Sequence, residues 1–180
     1  MRLLACVVSA VAADFDPLRV ELERLGHRAD VVVSGELTRA AVATACGALR
    51  ARAAEPRVDV VLAWGTEALL FAVLLALELD CPLVHSALEA PAAGDGSLAW
   101  AWLVYRSLPV DVHLLHTQSA VAEADRFGLA GDAVRRVPMV SRRQMAGEVL
   151  AGCLAARARH ASRSSQNRPR GDTGLMGVRW

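Results

Sequence analysis

Residues 58–89, VDVVLAWGTEALLFAVLLALELDCPLVHSALE, decide the fold. Val58 to Ala63 is a short β-branched and aliphatic run that ends at Trp64-Gly65, the pattern of a buried strand. Thr66 stands where a side-chain oxygen can accept a hydrogen bond from the exposed amides of a following helix. Ala68 to Leu77 is ten apolar residues without a break, bracketed by Glu67 and Glu78. A membrane span needs about 18 or more such residues, so this run predicts a helix buried against a sheet and no transmembrane segment. Pro82 to Ser86 resumes the extended pattern after Asp80-Cys81. Two strands joined by a crossover helix form a βαβ unit, and strands covered on both faces are apolar throughout, as these are.

The rest of the chain repeats that unit. Upstream, Leu3 to Ser9 predicts a first strand and Asp14 to Leu25 a helix with Leu18, Leu22 and Leu25 on one face, stopped at Gly26. Arg2 followed by an apolar run resembles a secretion signal, but the β-branched Val7-Val8 and the immediate helix pattern favour a core strand. Asp30 to Val33 is a second strand, and Thr38 to Arg52 an Ala-rich amphipathic helix closed by Glu55-Pro56. Downstream, residues 90–97 carry Pro91, Gly94 and Gly96 and form the longest loop signal. Leu98 to Leu108 is an aromatic helix with Trp100, Trp102 and Tyr105, facing the core or else a lipid, an acceptor or a partner chain. Val110 to His116 is a strand, Ser119 to Phe127 a helix stopped at Gly128, Val134 to Val140 a last strand, and Gln144 to Ala158 a final helix. The expected architecture is α/β: one Rossmann-like, doubly wound domain over residues 1–158, with a mainly parallel sheet of about six strands and helices on both faces. Residues 159–180 are rich in Arg, Ser, Gly and Pro and read as a disordered basic tail.

Composition narrows the chemistry. The chain is 54% hydrophobic but only 4% aromatic, so its core is built mainly from Ala, Val and Leu. All 20 basic residues are Arg, which removes Schiff-base lysines and the phosphate-binding lysine of nucleotide loops. Cys6, Cys46, Cys81 and Cys153 are scattered without ligand spacing and read as free thiols in a reducing, cytoplasmic setting; no metal and no cofactor is expected. Up to Ala156 the net charge is −4 and beyond it +5. A basic tail without a basic folded face does not make a nucleic-acid binder.

In an open parallel sheet, ligands bind at the carboxyl ends of the strands. The turn after the first strand, SAVAADFD, has no glycine, so it cannot approach a pyrophosphate closely and a self-contained dinucleotide-binding dehydrogenase is excluded. The remaining strand-end candidates are Trp64, Gly65, Thr66 and Glu67 after one strand, and His85, Ser86 and Glu89 at the next. His85 and Glu89 form an acid-base pair if they converge, and are otherwise ordinary polar residues at a strand end. His113 and His116, three apart on a strand, point to opposite faces and make no metal pair. Ser86 and Ser119 lack the glycine-flanked elbow of an attacking serine.

The order of segments resembles the N-terminal domain of a GT-B-fold glycosyltransferase of the large retaining, nucleotide-sugar-dependent class. The resemblance is carried by DVVLAWGTEALLFAVLLALELDCPLVHSALE, LAWAWLVYRSLPVDVHLLHTQSAVAEADRFGL and the closing VRRVPM, with LGHRADVVV similar to the start of that family's second strand. It covers roughly residues 1–145. Departures accompany it. The glycine-rich loop is missing from SAVAADFD, Trp64 stands where many relatives have a histidine, and Leu88 takes the histidine position beside Glu89. Val137-Pro138-Met139-Val140 keeps the family's proline and loses its Asn-Gly. The resemblance implies a degenerate acceptor-side domain: Trp64 to Glu67 and Ser86 line a cleft, and His85 or Glu89 polarises an acceptor hydroxyl, sugar or lipid-linked. In that family a second domain supplies most nucleotide-sugar contacts. The expectation is therefore a partner chain carrying the donor-binding domain, a cytoplasmic or membrane-peripheral location, and no sugar transfer by the chain alone. The alternatives are a non-catalytic scaffold or binding module and a truncated remnant.

Overall fold

The structure, a computed structural model, describes residues 1–8, 12–34, 57–87, 108–126, 128–129, 131, 133–137 and 141–166, with 40, 43–45, 47 and 48 between them. Its apolar runs form six strands: β1 (Arg2–Val8), β2 (Arg28–Ser34), β3 (Val60–Trp64), β4 (Leu83–Ala87), β5 (Val112–Leu115) and β6 (Val134–Arg136). They pair in the order β2-β1-β3-β4-β5-β6, and every pairing is parallel. Four helices have both ends among the described residues, α1 (Ala12–Arg24), α2 (Leu69–Leu79), α3 (Gln118–Arg126) and α4 (Arg142–Gln166), and residues 40, 43–45, 47 and 48 are helical as well.

Every residue of β3, β4 and β5 is buried, because helices cover both faces of the sheet. On one face Leu4, Cys6, Val61, Ala63 and Leu83 meet α2 and α3. On the other, Leu3, Ala5, Val60, Leu62 and Leu114 meet Phe15, Leu18 and Leu22 of α1 and Val149 and Cys153 of α4. The period-2 alternation of the strands thus splits each one between two cores. The α/β sheet expected from the sequence is present, with all six strands parallel.

Local details correct several expectations. Leu25 does not share the buried face of α1; it is 40% exposed, and Phe15 takes its place beside Leu18 and Leu22. The Thr66 side chain does not cap α2. Its backbone carbonyl accepts from the Leu69 N–H at 3.2 Å, and the N-cap is Ala68, which has no side-chain cap. The buried start of so apolar a helix is held by packing. Asp80 ends α2 in the left-handed conformation (φ 49°), and the Cys81 N–H closes back on the Ala76 carbonyl at 3.1 Å. Gly26 and Gly128 adopt positive φ at the two expected helix stops. β2 runs from Arg28, two residues earlier than Asp30, because Arg2 donates to Asp30 at 2.6 Å and holds the strand ends together. Burial pushes the Asp30 carboxyl up, but hydrogen bonds and charge from Arg2 and Arg28 outweigh it and hold the group below its ordinary range. The aromatic segment 98–107, most of the helix expected at 38–52, and residues 138–140 of the last expected strand lie outside the described residues.

The last helix runs past its expected end at Ala158. α4 continues to Gln166, so residues 159–166 are helical. Two aspartates hold this end of α4. Asp59, just before β3, accepts the Arg2 backbone N–H at 2.7 Å and faces Arg157 at 3.6 Å. Asp111, just before β5, accepts the Leu83 backbone N–H at 2.9 Å and pairs with Arg163. Each carboxylate satisfies an amide at the amino end of the neighbouring strand and anchors an arginine of α4. His160 meets Asp80 at 3.6 Å between them.

α4 approaches the sheet closely at Gly152, where a Cβ would come within 2.8 Å of Leu114 Cδ2. Glycine inside a helix costs about 1 kcal/mol relative to alanine, and the buried Leu114 side chain leaves no room to recover it. Gly152→Ala is expected to lower stability in urea unfolding by about 1–3 kcal/mol despite its better helix propensity, and to become stabilising in a Leu114→Ala background. Asp111→Ala is expected to remove about 1–3 kcal/mol by orphaning the buried Leu83 amide. Hydrogen exchange should show residues 159–166 losing protection in that variant while α1 keeps its own.

Candidate functional site

Chain direction reverses its march across the sheet at β1. The connection to β2 leads one way and that from β2 to β3 leads back past β1, so the topological switch point falls between β1 and β3. At the carboxyl end of β3 the chain turns through Gly65 at φ 86°. Gly65 and Thr66 are half-buried there and Glu67 is exposed.

Register places the polar side chains. Trp64 is opposite Ser86, and His85 is opposite His113. Because side chains alternate, Trp64 and Ser86 share one face and His85 and His113 the other. On the first face the indole of Trp64 packs against Phe15, with ring centroids 5.4 Å apart, and against His116, at 6.1 Å. Ser86 Oγ lies 2.7 Å from His116 Nε2. On the second face the His85 and His113 rings meet edge to face, their Nδ1 atoms 3.1 Å apart. In that contact one neutral ring donates and the other accepts. His113 and His116 therefore do point to opposite faces, as their spacing requires.

The structure thus brings Trp64 and Ser86 together with His116, and places His85 behind them against α2 and α3. His85 and Ser86 are both completely buried. Glu89 lies outside the described residues. His113 and His116 were missed as partners of the candidate residues. The signal for the first was in the sequence: Val84-His85 and Val112-His113 begin the apolar runs of consecutive parallel strands at equivalent positions. Nothing local announced the Ser86–His116 contact, which depends on His116 lying one residue beyond β5.

Burial makes these imidazoles weak bases. It pushes His113 down to about 4 and His116 to about 4. His85 is held well below its usual range, by burial first and then by the neighbouring His113 and His116. No three His, Cys, Asp or Glu side chains form a metal-binding group among the described residues. None of the described helices is long and apolar enough to cross a membrane. A groove of about 280 Å³ at the opposite rim is lined by Asp111, His160 and Arg163 and belongs to the anchoring of α4.

Comparison with protein-family models and with curated proteins finds no match. Among solved structures, the chain is similar to UDP-GlcNAc 2-epimerase from Methanocaldococcus jannaschii, with 14% identity and a TM-score of 0.54 over 76% of this chain and 45% of that one. It is similar to Anabaena Alr3699/HepE, solved in complex with UDP, with 12% identity and a TM-score of 0.54 over 77% of this chain and 44% of that one. A C2-type ketoreductase from a modular polyketide synthase shares 19% identity and a TM-score of 0.50 over 77% of this chain and 38% of that one. The fold is a GT-B-like Rossmann fold. The chain spans less than half the length of each of these structures. At such identities the likeness concerns the fold alone, and the ketoreductase illustrates how far the chemistry on it ranges.

The lowered histidines set a pH dependence. Unfolded, these rings protonate near 6.5; folded, His113 and His116 stay neutral to about 4. The unfolded state therefore binds more protons in between, so stability is full above pH 6.5 and falls as pH drops toward 4. Urea unfolding is expected to show a loss of about 3 kcal/mol for each of the two rings across that window. A His113→Phe variant should show a shallower decline.

Proposed function

We propose that the chain is the acceptor-side half of a sugar-transfer site, a glycosyltransferase-like domain of the hexosyltransferase kind whose donor-binding domain belongs to another chain. The observation that carries this reading is the fold, which over about three quarters of this chain is similar to that of the UDP-GlcNAc 2-epimerase and of HepE, solved with UDP. The Gly65 turn beside the switch point supports it, since ligands of such sheets bind there. In this reading Trp64, Gly65, Thr66, Glu67 and Ser86 line the acceptor side. Glu89 or His85 polarises the acceptor hydroxyl, and His85, enclosed beside His113, does so only once its cover moves. The acceptor is a sugar or a lipid-linked sugar, and an acceptor of the second kind would bring the protein to a membrane surface.

A second reading, a binding or scaffold module that kept the fold without the chemistry, is favoured by the complete burial of His85 and Ser86. The two readings part in their response to mutation. With a donor-binding chain supplied, His85→Ala together with Glu89→Ala abolishes transfer in the first and changes nothing measurable in the second.

Calorimetric titration of the purified chain with uridine, guanosine and adenosine diphosphates and their sugar conjugates tests the division of labour. The isolated chain is expected to bind none of them appreciably, and to acquire binding when a second α/β chain that co-purifies with it is added. A dissociation constant of tens of micromolar or tighter for the chain alone, about −6 kcal/mol, would mean that it holds its own donor site and would overturn the split-site reading.

A further inference from the structure

Two buried ring nitrogens on the face of the sheet that carries Trp64 and Ser86 have no partner among the described residues. They are Trp64 Nε1, on a side chain 3% exposed, and a ring nitrogen, Nδ1, of His116, on a side chain 6% exposed. Trp64 Nε1 is a donor only. What His116 Nδ1 is depends on Ser86. The one hydrogen bond of the Ser86 hydroxyl among the described residues is the 2.7 Å contact with His116 Nε2. If His116 donated there, the Ser86 O–H, the Nδ1 lone pair and the indole N–H would all be left orphaned. If Ser86 donates, its hydroxyl is satisfied and only two groups remain, both N–H donors. The second arrangement leaves fewer buried groups unmet. Ser86 therefore fixes His116 as the neutral tautomer with its proton on Nδ1.

The result is a pair of neutral donors on one face of the sheet, with their rings 6.1 Å apart. A carbonyl oxygen carries two lone pairs and so can accept two N–H bonds. A buried donor without a partner is costly, so the pair favours whatever supplies an acceptor. The charge of that acceptor follows from the surroundings. Phe15 and the apolar residues of β1 and β3 line this face, and the two donors themselves are uncharged. Burying an anion there without a cation is unfavourable, which argues against a phosphate or carboxylate.

We propose that Trp64 and His116, with Ser86 as the positioning residue, form a subsite for an uncharged carbonyl oxygen, of the kind an acetamido group carries. The assignment rests on the acceptor-side reading above for its expectation that the carbonyl arrives on a sugar. It makes N-acetylated hexoses preferred over unmodified ones.

The probe is N-acetylglucosamine, with glucose as the control, titrated into the ¹⁵N-labelled chain at millimolar concentrations. The Trp64 indole N–H signal is assigned by its loss in Trp64→Phe. It is expected to shift saturably with N-acetylglucosamine and not with glucose. His116→Phe should weaken the apparent affinity about 10-fold, the equivalent of one lost hydrogen bond. Trp64→Phe removes the indole donor while keeping a ring, and the response of the His116 ring protons to N-acetylglucosamine should be lost with it. An equal shift with both sugars, no shift with either, or a shift untouched by His116→Phe overturns the proposal; water then satisfies the two donors. The two readings fail separately. Tight nucleotide binding by the chain alone sinks the split site without touching a selective N-acetylglucosamine response, and absence of that response sinks the subsite without restoring a donor site.

Discussion

Burial of the central strands on both faces is the constraint from which the rest of the molecule follows. Val60 to Trp64 have no solvent-facing side, so each alternate residue must satisfy a different core, one built by α2 and α3 and the other by α1 and α4. A five-residue strand so enclosed carries polar chemistry only at its ends. That is where Asp59 and Gly65 stand, and the neighbouring strands follow suit with Asp111 at one end and His116 at the other. The interior exceptions, His85, Ser86 and His113, are tolerated because register sets each beside a polar group: His85 against His113, and Ser86 within reach of His116. Packing decides the fold, and the few polar pairs left inside decide what the carboxyl edge can do.

The two ends of the sheet use polar groups in opposite ways. At the amino end carboxylates meet arginines, Asp30 meeting both Arg2 and Arg28, and the backbone amides of Arg2 and Leu83 are absorbed into the pairs of Asp59 and Asp111. At the carboxyl end the groups are neutral, the imidazoles are held unprotonated by burial, and two donors stay unmatched. A network of paired charges resists change, whereas unmatched groups have something to gain from a ligand.

Much of this was legible in the sequence. The runs 58–63 and 82–86, separated by an unbroken apolar helix, could only be a doubly covered βαβ unit, and the remaining strands were recognised by the same pattern. Boundaries slipped where a partner distant in sequence decides them. Arg2 extends β2 back to Arg28 through Asp30, and Asp59 and Asp111 draw α4 beyond the point where its composition turns Arg-rich. Periodicity cannot report such pairings. The candidate site was legible as a place, at the strand ends, and less so as a constellation. The alignment of His85 with His113 follows from matching two consecutive strands, but the approach of His116 to Ser86 depends on how the chain leaves β5.

α4 has a consequence for how the two edges of the sheet are coupled. The helix runs 25 residues from just beyond β6, and Arg157 and Arg163 fasten its far end to the aspartates at the amino ends of β3 and β5. Its length is about 37 Å at helical rise, so this one helix joins the carboxyl edge of the sheet, where Gly65 and His116 stand, to the amino edge, and a disturbance of either carboxylate pair would be felt along its whole length.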